Sequence, residues 1–439
     1  MSVISRTRRR VWECLGSSRL LNEVVGCAIL LRAGLTVAQP ARYLEHLTLA
    51  CRRLSSRYLR AFVARLLRRW QQPSEAGVWR DRQIGWTRYW REYDLDQRQL
   101  TTSLLLKGPG PGGEKGVLYS SFEYNWLRLL AHHDAKRFLA DYFLVGASSW
   151  SPPDYAVMLG MAGLSSDPVF VGVSNPADLA AYRVAEPTIQ ALPIMACDWI
   201  NPDFYRPQAA ADRDIDILMV ANFSPFKRHW LLFDALRDMR RDLRVALIGI
   251  PVPGRGADEL RREARALGAL QDLEILTNVP IETVTRYQCQ AKTSLVFSLR
   301  EGSCVAVTES LFAGSPVGVL KNAHIGAKAY INSQTGILLR QTGLARQLDQ
   351  FLEASGSYRP REWALDHITC RHASTTLNGI LRDYSKRAGY QWTRDIAPLC
   401  WRYVPSYLDS ADGVALAPEV ARLRSQYGVD LKQFSYQAT

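Results

Sequence analysis

Two periodicities divide the chain. Across residues 40–71, apolar side chains recur at the helical spacing. Leu59, Phe62, Val63, Leu66, Leu67 and Trp70 fall at i, i+3, i+4, i+7, i+8 and i+11, one stripe of a long amphipathic helix. From Leu104 the pattern changes to short β-rich runs separated by helical stretches. Leu104–Leu106, Gly116–Tyr119, Tyr142–Gly146, Val169–Val173 and Thr188–Ile194 read as strands. A second set follows Pro207. Strands at Ile215–Ala221, Leu243–Gly249, Leu273–Leu276, Thr293–Leu299 and Val317–Leu320 alternate with helices at His229–Arg241, Ala257–Leu267, Ile281–Gln290 and Val305–Ala313. Strict alternation with short connections predicts parallel sheets covered by helices on both faces. The strands are continuous apolar runs, as burial on both sides requires.

The prolines of Asn201–Pro207 and the polar stretch to Asp214 separate the two sets. The expected organisation is an Arg-rich, largely helical segment over 1–100 and an N-terminal α/β domain over 101–206. A Rossmann-like domain over 207–385 follows, then a helical tail over 386–439, free to pack back on the N-terminal domain. The tail carries Trp392 and Trp401 for docking.

Charge changes this picture in one place. Residues 1–106 hold 19 arginines, no lysine and 8 acids, whereas the other 333 residues carry 36 basic and 34 acidic side chains. The basic surface therefore belongs to the N-terminal quarter. Along the 52–70 helix, Arg52, Arg53, Arg57, Arg60, Arg65, Arg68 and Arg69 flank or oppose the apolar stripe. That pattern suits a domain helix with a solvated face. Such stripes usually mean core, and the density of arginines keeps open the other reading, a helix on an anionic membrane surface.

The eight cysteines form no CxxC pair and no His cluster stands at ligand spacing, which argues against a zinc module or a disulfide scaffold. Reduced thiols fit a cytoplasmic protein. No apolar run is long enough to cross a bilayer. Val24–Leu31 (VVGCAILL) imitates a signal core, but Glu13, Arg19, Asn22 and Glu23 interrupt the approach to it.

The candidate chemistry gathers at strand ends, where sheets of this kind bind ligands. Loops follow at Asn222–Arg228, from Gly249, at Asn278–Val279 and at Arg300–Cys304. A helix beginning near Ser303 presents unpaired backbone N–H groups, from Cys304 and Val305 onward, that suit a diphosphate. Gly302 lets the backbone approach closely, and Lys227 reaches the same phosphates as a point charge. Glu309 lies one to two turns into the helix, where it can accept two ribose hydroxyls. Glu301, in the loop, can accept hydroxyls of a sugar beyond the phosphates. Two acids beside a diphosphate make sense only if polyol hydroxyls intervene.

Glu301 and Glu309 form E-x7-E, and Phe312-Ala-Gly-Ser-Pro-Val317 continues it. With these residues, and with Thr335-Gly-Ile-Leu-Leu339, the stretch 215–340 resembles the donor-binding domain of retaining family-4 glycosyltransferases. The resemblance implies a GT-B fold, two Rossmann-like parallel-sheet domains facing a cleft. It implies a metal-independent glycosyltransferase (EC 2.4 class) that needs no cofactor and moves sugar from a UDP-, GDP- or ADP-sugar to a glycan or lipid-linked acceptor with retention. In that family the first Glu contacts the donor sugar, the second the ribose, and an R-x4-K pair grips the diphosphate. Glu301 and Lys227 become the catalytic candidates. Asn222, Arg228, Gly249, Asn278, Val279, Gly302, Ser303, Cys304, Val305 and Glu309 complete the donor set. Two departures stand out: Asn222 occupies the Arg position, with Arg228 as replacement charge, and the usual E-G-F-G reads Glu301-Gly-Ser-Cys304.

Rival signals are weaker. Asp214-Ile-Asp216 and Asp94-Leu-Asp96 spell D-x-D, but the first precedes a strand. Lys107–Gly113 is Gly-rich yet runs into a strand without the helix and G-K-[ST] of a phosphate loop. His132, His133 and His229 are candidate acids or bases with no assigned role, and Trp150 is a candidate acceptor-side residue. The alternatives to an enzyme are a non-catalytic GT-B partner protein, prompted by Asn222, and a nucleic-acid-binding protein using the basic segment. The latter leaves E-x7-E unexplained, so no nucleic acid is expected.

Overall fold

A computed structural model of the chain describes residues 19–54, 56–68, 97–149, 164–182, 189–402 and 404–432. Asp94–Asp96, Arg69, Trp70 and Trp150 lie outside these residues. The chain divides into two compact units, Ile200–Thr369 and a second made of Cys14–Trp199 with Cys370–Thr439.

Three helices open the described chain: α1 (Arg19–Gly34), α2 (Pro40–Arg53) and α3 (Arg57–Arg68). They pack on one another around Ala33, Leu47, Ala50, Leu54 and Val63. The single long helix expected over 40–71 is therefore two. Leu54 adopts extended backbone (φ −67°, ψ 131°), which ends α2 before α3 begins.

The five strands that follow lie in sequence order: β1 (Ser103–Lys107), β2 (Gly116–Ser121), β3 (Tyr142–Ala147), β4 (Val169–Gly172) and β5 (Ile189–Leu192). All pair in parallel except β1 with β2, which are antiparallel. The exception has a simple cause. A parallel crossover needs a dozen or more residues, and only residues 108–115 separate these strands. That Gly-rich segment is a closed connection. Lys107 and Glu114, both fully buried, pair across it, and Lys107 Nζ sits 3.4 Å over the Trp392 ring.

In the second unit, β6 (Ile215–Val220), β7 (Val245–Gly249), β8 (Leu273–Thr277), β9 (Ala291–Val296), β10 (Val317–Leu320) and β11 (Gly336–Leu339) form one parallel sheet. Their order is β11-β10-β9-β6-β7-β8. The helices at Ala257–Leu267 and Ile281–Gln290 have the bounds expected from the sequence, and the first helix, His229–Leu236, stops short of Arg241. Both units are thus α/β with Rossmann-like parallel sheets.

The unit boundary near the C-terminus falls at Thr369–Cys370, where the sequence placed the domain end at 385. The helix Cys370–Arg387 explains the difference. Its stripe Ala373, Leu377 and Leu381 is buried against Leu106, Val117, Tyr119, Phe143 and Phe170 of the first sheet. Asp167 fastens the same helix and the segment after it, accepting hydrogen bonds from the Tyr384 hydroxyl at 2.9 Å and the Tyr390 hydroxyl at 3.0 Å. The hairpin β12 (Leu399–Arg402) and β13 (Val404–Tyr407) and the helix Ser410–Tyr427 complete this unit.

Candidate functional site

The order of the six-stranded sheet locates a crevice. From β6 the chain moves outward through β7 to β8, then returns to the other side of β6 for β9 and continues to β11. The loops leaving the carboxyl ends of β6 and β9 therefore part company, and doubly wound sheets bind ligands at such a switch point. A pocket of about 130 Å³ lies there. Residues 219–221 and 295–298 form its floor, and Lys227, Glu301 and residues 304–306 its walls.

Local geometry delivers Lys227 to this place. Asn222 Oδ1 accepts from Ser224 N–H at 3.3 Å, one 3-10 turn spans Pro225–Lys227, and Arg228 reverses the chain into the helix at φ 62°. A non-glycine residue in the left-handed region must be held there. Arg228 is buried, donates to Phe297 O at 3.5 Å and Gln341 Oε1 at 3.1 Å, and lies 5.1 Å over the Trp230 ring. Its guanidinium acts as a strut to the loops beyond β9 and β11, which turns it away from the phosphate role the sequence suggested. Lys227, by contrast, points at the pocket, where its Nζ donates to Glu301 Oε1 at 2.7 Å.

Glu301 is placed from the other side. Its N–H donates to His324 O at 3.1 Å, and His324 N–H donates to Leu299 O at 2.8 Å. The carbonyls of Gly302 and Ser303 accept from Gly326 and Ala327, both at 2.9 Å. The following helix is Val305–Phe312, starting at the residue read from the periodicity and two residues after Ser303. Cys304, not Gly302, takes the left-handed conformation at its entry (φ 60°), and no side chain caps it. The first N–H groups of the helix have no intrahelical acceptor, and Val305 and Ala306 line the pocket. The Cys304 thiol is pushed well above its ordinary range by burial and then by the neighbouring Glu301. It stays protonated and adds no negative charge.

Glu309 lies one turn on. Its Oε2 accepts from Nε2 of the fully buried Gln288 at 3.1 Å, which holds the carboxylate in place outside the walls of this pocket. Gly249, Asn278 and Val279 stand at the ends of β7 and β8 and do not line the pocket either. Gly249 has a packing reason: a Cβ there would come within 1.9 Å of Ala221 O. Asn278 is left-handed (φ 52°) and donates its N–H to Gly249 O at 3.3 Å. Val279 packs against the cluster of Ile248, Ile281 and Val284.

Two further residues belong to this region. Ser298, 1% exposed, lines the pocket and its hydroxyl has no hydrogen-bond partner. The only signal in the sequence was a polar side chain at the end of an apolar strand. His229, wholly buried, follows Arg228 directly. Neither ring nitrogen has a hydrogen-bond partner, and the ring meets Phe223 edge-on at 5.6 Å. Burial, helped by Arg255 and Lys227, lowers its pKa to about 3, so it is neutral at ordinary pH.

The rival signals are engaged elsewhere. Asp214 pairs with Arg244, and Asp216 accepts from Lys292 Nζ at 2.8 Å. His133 Nε2 meets Arg98 O at 3.1 Å. A second pocket of about 270 Å³, near the amino ends of β9 and β10, includes Arg213, whose guanidinium is taken up by Gln208 O, Ala291 O and Ala313 O. Among the described residues, no group of three or more His, Cys, Asp or Glu could hold a metal ion.

Fold and site together define a doubly wound α/β unit with an anion-suited crevice at its switch point. Residues 202–362 match the family model described as glycosyl transferases group 1. No curated protein sequence matches the chain. Among solved structures, sucrose-phosphate synthase from Thermosynechococcus elongatus is similar at 17% identity, covering 62% of this chain and 74% of that one, with a TM-score of 0.48. HepE of Anabaena in complex with UDP is similar at 14% identity over 62% and 78% of the two chains, TM-score 0.47. The N-terminal domain of trehalose-6-phosphate phosphatase from Candida albicans is similar at 13% identity over 60% and 69%, TM-score 0.45. Likeness at this level says nothing of activity.

Proposed function

We propose that the protein is a glycosyltransferase that takes its sugar from a nucleoside-diphosphate sugar bound at the switch point of the six-stranded sheet. The observation that carries the reading is the meeting of Lys227 and Glu301 at 2.7 Å on the wall shared with the open end of the helix Val305–Phe312. A cation and a dipolar helix tip suit the diphosphate. The orphaned Ser298 hydroxyl offers one more polar partner to a ligand. The family match over residues 202–362 supports the same assignment.

The ion pair gives the mechanism its logic. Without donor, Lys227 and Glu301 neutralise each other. A diphosphate would take the ammonium for itself and release Glu301 to accept sugar hydroxyls, so two acids need not repel the ligand. As the anomeric C–O bond breaks, negative charge grows on the departing diphosphate. Lys227 and the helix N–H groups would then bind the transition state more strongly than the ground state. Glu309, held by Gln288, is the candidate for the ribose hydroxyls. Retention, operation without a metal ion, and a glycan or lipid-linked acceptor met at the inner face of a membrane belong to this proposal. So does a carrier drawn from UDP, GDP and ADP.

A second reading, a non-catalytic relative, rests on Asn222 at the position of the second phosphate cation, which the buried Arg228 does not replace. A thermal-shift screen against UDP, GDP, ADP and their sugars, followed by assays for sugar release and transfer, separates the two. Stabilisation with turnover lost in Lys227→Ala and Glu301→Gln supports the enzyme. Stabilisation without turnover supports the relative, and no stabilisation by any nucleotide defeats both.

A further inference from the structure

Helix α1 turns its apolar side to solvent. Leu20, Val24, Ala28, Leu31 and Leu35 recur at i, i+4, i+8, i+11 and i+15, one helical stripe running past its last turn, and the four large side chains are 77%, 59%, 75% and 87% exposed. Two of its polar residues are tied to the chain at the end of α2 and the start of α3. Asn22 Oδ1 accepts from Arg53 Nη1 at 3.0 Å, and the Glu23 carboxylate accepts from Ser56 N–H at 3.1 and 3.2 Å. Gly26 lies so close to α2 that a Cβ would meet Leu54 Cδ2 at 2.7 Å. Tyr58 and Phe62 of α3 are exposed as well. Of the fifteen large hydrophobic side chains exposed among the described residues, nine fall between Leu20 and Phe62. Apolar residues scattered singly over a surface need no explanation, but a concentration such as this one marks an interaction site.

Charge selects the occupant. Residues 19–68 hold nine arginines against two glutamates, and Arg32, Arg42, Arg53 and Arg65 are exposed. A second copy of this surface would bring like charges together. A bilayer carrying anionic phosphates offers both complements at once, acyl chains for the stripe and headgroups for the guanidinium groups. At 16 residues α1 is too short to span a membrane, and no helix among the described residues is long and apolar enough to do so.

We propose that α1 lies in the surface of an anionic membrane, its Leu20–Leu35 stripe among the acyl chains and the arginines of α1–α3 on the lipid phosphates. The expectation of a membrane contact through the 52–70 helix placed the attraction there. The structure adds the inserting element, in the stretch that imitates a signal core. The inference is independent of the donor site, and either can fail while the other stands.

The test is co-sedimentation of the full chain with vesicles of phosphatidylcholine alone and of phosphatidylcholine with phosphatidylglycerol, comparing wild type with Val24→Lys/Leu31→Lys. Both positions are solvent-exposed, so the variant should keep the wild-type unfolding midpoint, measured alongside. Wild type is expected to sediment with the phosphatidylglycerol vesicles. The variant is expected to lose at least about tenfold in partitioning, because burying each aliphatic side chain is worth more than about 1.4 kcal/mol. Its two added charges make the comparison decisive. If attraction to phosphate were the whole cause, the variant would bind as well or better, and insertion would be refuted. Wild type that ignores both vesicle types, or that forms a dimer which the variant abolishes, would overturn the proposal too.

Discussion

His229 ties the stability of the Pro225–Arg228 turn to pH. It is wholly buried beside Phe223, with neither ring nitrogen hydrogen-bonded, and its pKa is lowered to about 3 by burial and then by Arg255 and Lys227. An unfolded chain would protonate this imidazole near pH 6.5. The unfolded state therefore binds more protons at mildly acidic pH, and folding stability falls as pH falls from about 6.5 toward 3. Above pH 6.5 the contribution is fully present. Between pH 7.5 and 5.0 the loss is about 2 kcal/mol, at roughly 1.4 kcal/mol per pH unit once below the unfolded pKa. Carboxylates titrating in the same range obscure this in wild type alone. The assay is therefore urea unfolding of wild type and His229→Leu at both pH values, with the difference between the proteins as the readout. Wild type should lose about 2 kcal/mol more than the variant over the interval. A difference that does not move with pH refutes the reasoning. So does histidine-selective NMR showing His229 titrating near its ordinary value. Lys227 stands two residues earlier, so acidification should loosen the turn that carries it into the pocket.

Three further outcomes are expected. Lys227→Ala should weaken UDP binding about ten- to hundredfold, the equivalent of one charge-assisted hydrogen bond of about 1.5–3 kcal/mol, measured by titration calorimetry. Glu301→Gln should leave UDP affinity unchanged or raise it, because Lys227 loses its competing partner at 2.7 Å, while the preference for UDP-sugar over UDP falls. Weaker UDP binding in that variant would contradict the exchange of partners. Gly249→Ala should cost at least about 1–3 kcal/mol in denaturant unfolding, since its Cβ would sit 1.9 Å from Ala221 O in a packed sheet with no flexible neighbour to yield.

Periodicity and turn chemistry alone determined most of the second unit's architecture. The strands around Ile215–Val220 and Val317–Leu320 and the helices Ala257–Leu267 and Ile281–Gln290 are legible because each signal is local: an apolar run, a helical stripe, a breaker between them. The placing of Lys227 and Glu301 on loops at strand ends is local in the same sense. Three things are not local, and only the tertiary structure decided them. The order β11-β10-β9-β6-β7-β8, which makes a crevice of two loops 74 residues apart, depends on how strands pair. The helix Cys370–Arg387 reads as the end of one unit and packs on the sheet of the other. The fates of similar side chains diverge as well. Lys227 faces the pocket while its neighbour Arg228 is buried as a strut, and the stripe of α1 faces water while that of Cys370–Arg387 is core. A helical stripe records that one face is apolar. What covers that face is set by the rest of the chain, or, for α1, by a surface outside it.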